Sequence, residues 1–161
     1  MKGLLDKRRC ALDKCFLGIN VLLLITFFTC FAKSACGQQE IAWNFIYNAK
    51  QSQLELEAKL ADGWHLYSQH ISSDIGPVPT TFSFKESSGL QLLGETIEPE
   101  PIKRFDQAFE AELTFFEKQV VFIQKIKQTS VKIVKGTVSF MLCNDEMCLP
   151  PEEKEFEITI N

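Results

Sequence analysis

From Ile41 onward the chain alternates apolar and polar residues in short runs, the signature of strands that bury one face. Ile41, Trp43 and Phe45 take every second position of an aromatic-rich segment, Ile41 to Ala49. Leu54, Leu56, Ala58 and Leu60 then alternate with Glu55, Glu57, Lys59 and Ala61, and Asp62-Gly63 supplies a turn. Trp64 to Gln69 begins a third strand, Gly76-Pro77-Val78-Pro79 marks a loop or an edge, and Thr80 to Phe84 alternates again.

The middle of the chain is less regular. Residues 85–104 read as loop, with an apolar island from Leu90 to Gly94 between Ser87-Ser88-Gly89 and Glu98-Pro99-Glu100-Pro101. Phe105, Phe109, Leu113, Phe115 and Phe116 precede Val120-Val121-Phe122-Ile123, whose β-branched and aromatic content predicts two strands; a helical turn over Asp106 to Leu113 is the alternative. Val131 to Leu142 is the longest predicted strand, and Phe156, Ile158 and Ile160 close the pattern. Roughly seven to nine short strands, without a convincing amphipathic helix, predict an all-β fold, an immunoglobulin-like antiparallel β-sandwich. Trp43, Trp64 and the 14 phenylalanines are expected in its core.

The first 37 residues follow a different pattern: a basic start (Lys2, Lys7, Arg8, Arg9, Lys14), an apolar run from Phe16 to Ala32, then Ser34-Ala35-Cys36-Gly37. That order is the layout of a secretory signal cleaved around residues 34–37, leaving a single domain over 38–161 and an address outside the cytoplasm. The apolar run lies near the lower limit for spanning a bilayer, so an uncleaved anchor is the alternative. Lipidation of Cys36 is a further one, against which Lys33 occupies a position that such signals fill with an aliphatic residue.

Composition narrows the class. With 161 residues, 45% hydrophobic and 24% charged, the chain can bury a core, which excludes disordered and fibrous classes. Without residues 1–37, Lys+Arg falls from 17 to 11 and Asp+Glu from 21 to 19, leaving a formal charge near −8. Such a surface repels phosphate backbones, so proteins or small molecules are expected as partners rather than nucleic acid.

Cysteine usage points to chemistry. Cys10, Cys15 and Cys30 lie in the signal segment and Cys36 at its end, so Cys143 and Cys148 are the pair in the domain. They bracket the polar turn Asn144-Asp145-Glu146-Met147, and Pro150-Pro151 follows. A hairpin with Leu142 and Leu149 on its arms sets the cysteines opposite each other, Cα atoms about 4.5–5.5 Å apart, within disulfide range. So short a loop gains on the order of 2 kcal/mol from a bridge. From spacing alone, a structural bridge and a reactive one both stay open. Asp145 and Glu146 disfavour a neighbouring thiolate. Two cysteines beside Asp145 are an incomplete zinc ligand set, and His65 and His70 lack the spacing to complete it, so neither metal nor other cofactor is expected. His65 and His70 are read as solvated or hydrogen-bonded strand residues.

The segments G-W-H-L-Y (Gly63 to Tyr67), G-P-V-P-T-T-F-S-F (Gly76 to Phe84) and C-N-D-E-M-C-L-P-P (Cys143 to Pro151) together resemble the N-terminal periplasmic domain of the thiol:disulfide interchange protein DsbD, the disulfide bond corrector domain. The resemblance runs from about Ile41 to Ile160 and implies an immunoglobulin-like sandwich. It implies a thiol-disulfide oxidoreductase that takes electrons from a membrane thiol reductase through a thioredoxin-like domain and passes them to periplasmic disulfide proteins. Cys148 then matches the cysteine that forms mixed disulfides, Cys143 the one that resolves them, and Tyr67 an aromatic beside the pair, with His65, Asp145 and Glu146 as further neighbours. The family's cap loop matches Leu92-Leu93-Gly94, which lacks the usual aromatics. The 161 residues include no reductase or thioredoxin-like domain, so separately encoded donors and a monomeric mature domain are expected. The rival classes are a secreted immunoglobulin-like binding module with a structural Cys143–Cys148 bridge, and an adhesion or assembly protein anchored by residues 16–32.

Overall fold

A computed structural model describes residues 39–71, 76–107, 109–127 and 130–160. The expected signal at 1–37, with its cleavage zone and Cys36, lies outside the described residues. Within them are eleven strands and no helix: β1 (Ile41–Asn48), β2 (Gln53–Leu60), β3 (His65–Tyr67), β4 (Thr81–Phe84), β5 (Gln91–Ile97), β6 (Ile102–Asp106), β7 (Ala111–Glu117), β8 (Gln119–Lys127), β9 (Ile133–Phe140), β10 (Leu142–Cys143) and β11 (Glu152–Thr159). They pair antiparallel in three sheets, ordered β1-β2-β8-β5, β10-β3-β7-β6 and β11-β9-β4. The fold is an immunoglobulin-like β-sandwich, as the alternation predicts.

The main core lies where the alternating faces of β2, β8, β9 and β11 meet. Leu54, Leu56 and Ala58 of β2, Phe122 and Ile126 of β8, Val134, Val138 and Phe140 of β9, and Phe156 and Ile158 of β11 are all buried there. Trp43 packs among Phe45, Phe82, Phe122 and Phe140, with ring centroids 5.5–6.3 Å apart. Each fully buried side chain of this kind stabilises the fold by roughly 1.5–3 kcal/mol relative to exposure.

Two elements differ from the sequence expectation. The stretch 85–104, expected as loop, contains β5 and the start of β6. Both are edge strands whose side chains are mostly exposed, so neither carries the alternation that marks a strand facing a core. The longest strand is β8, with 9 residues, rather than the segment from Val131 to Leu142. That segment divides because the chain leaves one sheet after Phe140 and enters another at Leu142.

A second sheet change occurs at Lys118, the sole residue between β7 and β8, whose φ of 62° lets consecutive strands join different sheets. On β9, Gly136 sits between Phe84 of β4 and Phe156 of β11, its register partners on either side. A Cβ there would lie 2.6 Å from the Ser83 carbonyl oxygen and against the Phe156 ring. We therefore expect Gly136→Ala to lower stability by about 2 kcal/mol, measured by urea unfolding, because the backbone on one side cannot yield.

Candidate functional site

Strands β9 and β11 pair along their whole length, from Ile133↔Thr159 to Phe140↔Glu152. Residues 141–151 are the excursion at the end of that hairpin, and they carry both cysteines. β10 opens the excursion and is held on β3 by the pairs Leu142↔Leu66 and Cys143↔His65. The turn that follows is built by Asn144. Its side-chain oxygen accepts the backbone N–H groups of Glu146 and Met147, each at 2.8 Å, and its own N–H donates to the Met147 carbonyl at 2.9 Å. The Leu149 N–H donates to the Leu142 carbonyl at 2.8 Å.

This closes Cys143 and Cys148 into a facing pair joined by a disulfide, with Cα atoms 4.0 Å apart, somewhat closer than the hairpin estimate. Their surroundings differ. Cys143 is 1% exposed, whereas Cys148 is only partly buried beside the exposed Asp145, Glu146 and Met147. Of the pair, Cys143 is thus the inner residue and Cys148 the more accessible one.

The wall behind Cys143 is the outer face of the β10-β3-β7-β6 sheet. Alternation sends Leu66, Phe116 and Leu142 into the main core, while Tyr67, Leu113, Phe115 and Cys143 form a second buried cluster. His65, directly opposite Cys143, shares that second face. Arg104 of β6 lies 4.6 Å above the Phe115 ring and 3.2 Å from Glu117. Together these strands and the cysteine turn enclose a cleft of about 540 Å³.

A buried polar chain runs along the cleft. The Tyr67 hydroxyl donates to Asp106 Oδ2 at 2.8 Å, and His65 Nε2 lies 3.2 Å from the same hydroxyl. With the hydroxyl hydrogen committed to Asp106, the tautomer that completes the chain has His65 Nε2–H donating to the Tyr67 oxygen. Burial, then the hydrogen bond to Asp106 and its charge, push the Tyr67 hydroxyl far above the usual phenol range. Burial is also the main influence on His65 and holds it below the usual imidazole range; Arg104 acts the same way, while Asp106, Glu117 and Asp145 oppose. At neutral pH His65 is thus an uncharged imidazole, and its 3.8 Å approach to Asp106 is bridged by the tyrosine hydroxyl rather than being an ion pair.

The residues singled out in sequence separate into two groups. Cys143, Cys148, His65, Asp145 and Glu146 line the cleft, and Tyr67 packs into its buried floor. Leu92, Leu93 and Gly94 do not: they belong to β5, where Leu92 pairs with Ile126 and Leu93 with Lys125, in a different sheet. The positions flanking the cysteines from β6 are instead Arg104, Phe105 and Asp106, with Phe105 57% exposed at the rim. None of the three was singled out in sequence. The available signal was Asp106 ahead of Phe109, an acidic residue starting a tight turn, whose Oδ1 accepts the Phe109 N–H at 3.3 Å.

Comparison with known proteins places the fold. The family model for the thiol:disulfide interchange protein DsbD, N-terminal, matches residues 33–160. Among curated protein sequences no match is found. The reduced N-terminal domain of DsbD from Neisseria meningitidis superposes with a TM-score of 0.58 at 15% identity, covering 76% of this chain and 86% of that one. The complex between the DsbD and PilB N-terminal domains of the same organism gives 0.56 at 12% identity, covering 78% and 87%. The N-terminal periplasmic domain of ScsB from Proteus mirabilis gives 0.52 at 17% identity, covering 74% of this chain and 45% of that one. At these identities the superpositions establish the shared fold.

The state of His65 has a consequence for stability. Because protonation is harder in the folded protein than in the unfolded chain, acidification through about pH 6.5 favours unfolding. The melting temperature should fall by a few degrees between about pH 7 and pH 5, and His65→Gln should lose the histidine share of that fall. Scanning calorimetry of both proteins across this range is the check.

Proposed function

We propose how the pair works from the premise that this chain belongs to the family of N-terminal domains of the thiol:disulfide interchange protein DsbD. Thiol-disulfide interchange is its chemistry. In the reduced protein the Cys148 thiolate attacks a partner disulfide, forming a mixed disulfide and releasing one partner thiolate. The Cys143 thiolate then attacks Cys148 Sγ, which restores the Cys143–Cys148 bond and frees the second partner thiolate. Two electrons leave the domain and the partner disulfide becomes a dithiol. Run in reverse with a more reducing donor, the same steps recharge the pair.

The observation that supports this assignment best is the unequal burial of the two cysteines, Cys143 at 1% exposure and Cys148 only partly buried, both on the cleft. A merely structural bridge gains nothing from one accessible sulfur. The donor is a thioredoxin-like domain or membrane thiol reductase, and the acceptors are disulfide-bonded proteins of the envelope. A complex of the Neisseria DsbD domain with the PilB N-terminal domain supports a protein as partner, and the periplasmic ScsB domain supports an exported location. The signal-like order of residues 1–37 fits that location, with 38–161 as the working domain.

Two measurements test the assignment. Redox titration should place the couple well above about −300 mV, the region below which structural disulfides lie. Incubated with an oxidised thioredoxin-like protein, Cys143→Ala should accumulate a mixed disulfide on a non-reducing gel, and Cys148→Ala should not. A potential below that limit, or equal trapping by both variants, would overturn these roles for the two cysteines.

A further inference from the structure

The resolving step raises a problem of proton removal. Cys143 must become a thiolate before it can attack Cys148, yet its side chain is almost entirely shut off from solvent. A group inside the wall has to accept the proton. His65 is the cross-strand partner of Cys143, so their side chains stand side by side on one face of the sheet. The other titratable groups on this cleft are engaged elsewhere or open to solvent, Glu146 among the latter. Asp106 of β6 accepts the Tyr67 hydroxyl, Glu117 of β7 faces Arg104, and Asp145 is exposed in the turn. The hydroxyl of Tyr67 is itself a donor to Asp106.

We propose that His65 is the proton acceptor for the Cys143 thiol in the resolving step, held in orientation through its Nε2 by the Tyr67 hydroxyl and Asp106. The assignment rests on the thiol-exchange function above. In that step the Cys143 proton passes to the imidazole nitrogen opposite Nε2, the Cys143 electron pair forms the bond to Cys148 Sγ, and the partner thiolate departs with the electrons of the broken mixed disulfide. The imidazolium then returns its proton to solvent or to the departing thiolate. That His65 is kept uncharged by burial makes it available as a base at neutral pH.

Stopped-flow reaction of the fully reduced chain with 5,5′-dithiobis(2-nitrobenzoate) resolves this step, in a background where Cys10, Cys15, Cys30 and Cys36 are serine. The first nitrobenzoate thiolate is released when Cys148 is modified, the second when Cys143 resolves the mixed disulfide. With His65 as base, the second rate is flat at neutral pH and falls only below the ordinary imidazole range, because burial holds His65 lower than a free histidine. In His65→Gln it should be about ten- to thirtyfold slower at pH 7 and rise about tenfold per pH unit through the mildly alkaline range, because only the preformed thiolate then reacts. In Asp106→Asn, loss of the carboxylate charge should shift the lower edge of the plateau to more acidic pH. This variant keeps the test decisive if His65→Gln does not fold. A wild-type second phase that climbs tenfold per unit, without a plateau, overturns the role of His65 while leaving thiol exchange intact. Failure of either thiolate to be released overturns both.

Discussion

The two-residue strand Leu142–Cys143 lies on β3 in a single register, with Leu142 beside Leu66 and Cys143 beside His65. The rest of the site depends on that register because β3 and β10 are buried on both faces. Leu142, Leu66 and Phe116 form one row across three strands and close the main core. Their neighbours along each strand necessarily point the other way, toward the cleft. A slip of one residue would put Cys143 in the core and a leucine in the cleft. Packing energy in the sandwich thus fixes where the inner sulfur sits, and no contact made by the cysteine itself is needed to place it.

The same economy explains the location of the pair on the excursion between β9 and β11. A full-length hairpin delivers the turn to the end of the sandwich with little freedom, and the Asn144 side chain satisfies the backbone donors that the turn leaves open. The disulfide therefore closes a loop already ordered by hydrogen bonds. Opening and re-forming it need not unfold anything else, which a redox site requires and a staple does not.

The polar chain His65–Tyr67–Asp106 is costly to bury, since each unsatisfied member would lose about 1–3 kcal/mol. It is tolerated because every link is made, at 3.2 and 2.8 Å. Its position beside the disulfide, together with the acidic turn at Asp145 and Glu146, puts ionisable groups on both sides of the pair: a buried imidazole inside and exposed acidic residues at the mouth.

Much of this was legible in the sequence. Alternation in β1, β2 and β11 revealed strands that face the main core, because there solvent and core impose a period of two, while β8 showed through its β-branched and aromatic content. Setting aside the four cysteines before residue 38 left Cys143 and Cys148 as the pair, and the polar turn between them predicted a hairpin. Strand β5 and the start of β6 fall in a stretch that reads as loop because an edge strand with mostly exposed side chains has no apolar face to write into the sequence. For the same reason the cap expectation went to an apolar island that instead belongs to the β5 edge. Asp106 is 39 residues from the tyrosine it holds. Local sequence determined which residues could form strands and which two thiols could meet. Only the tertiary structure decided that Arg104, Phe105 and Asp106 stand beside them, because strand pairing between distant segments is set by the packing of the whole sandwich rather than by any pattern within a single strand.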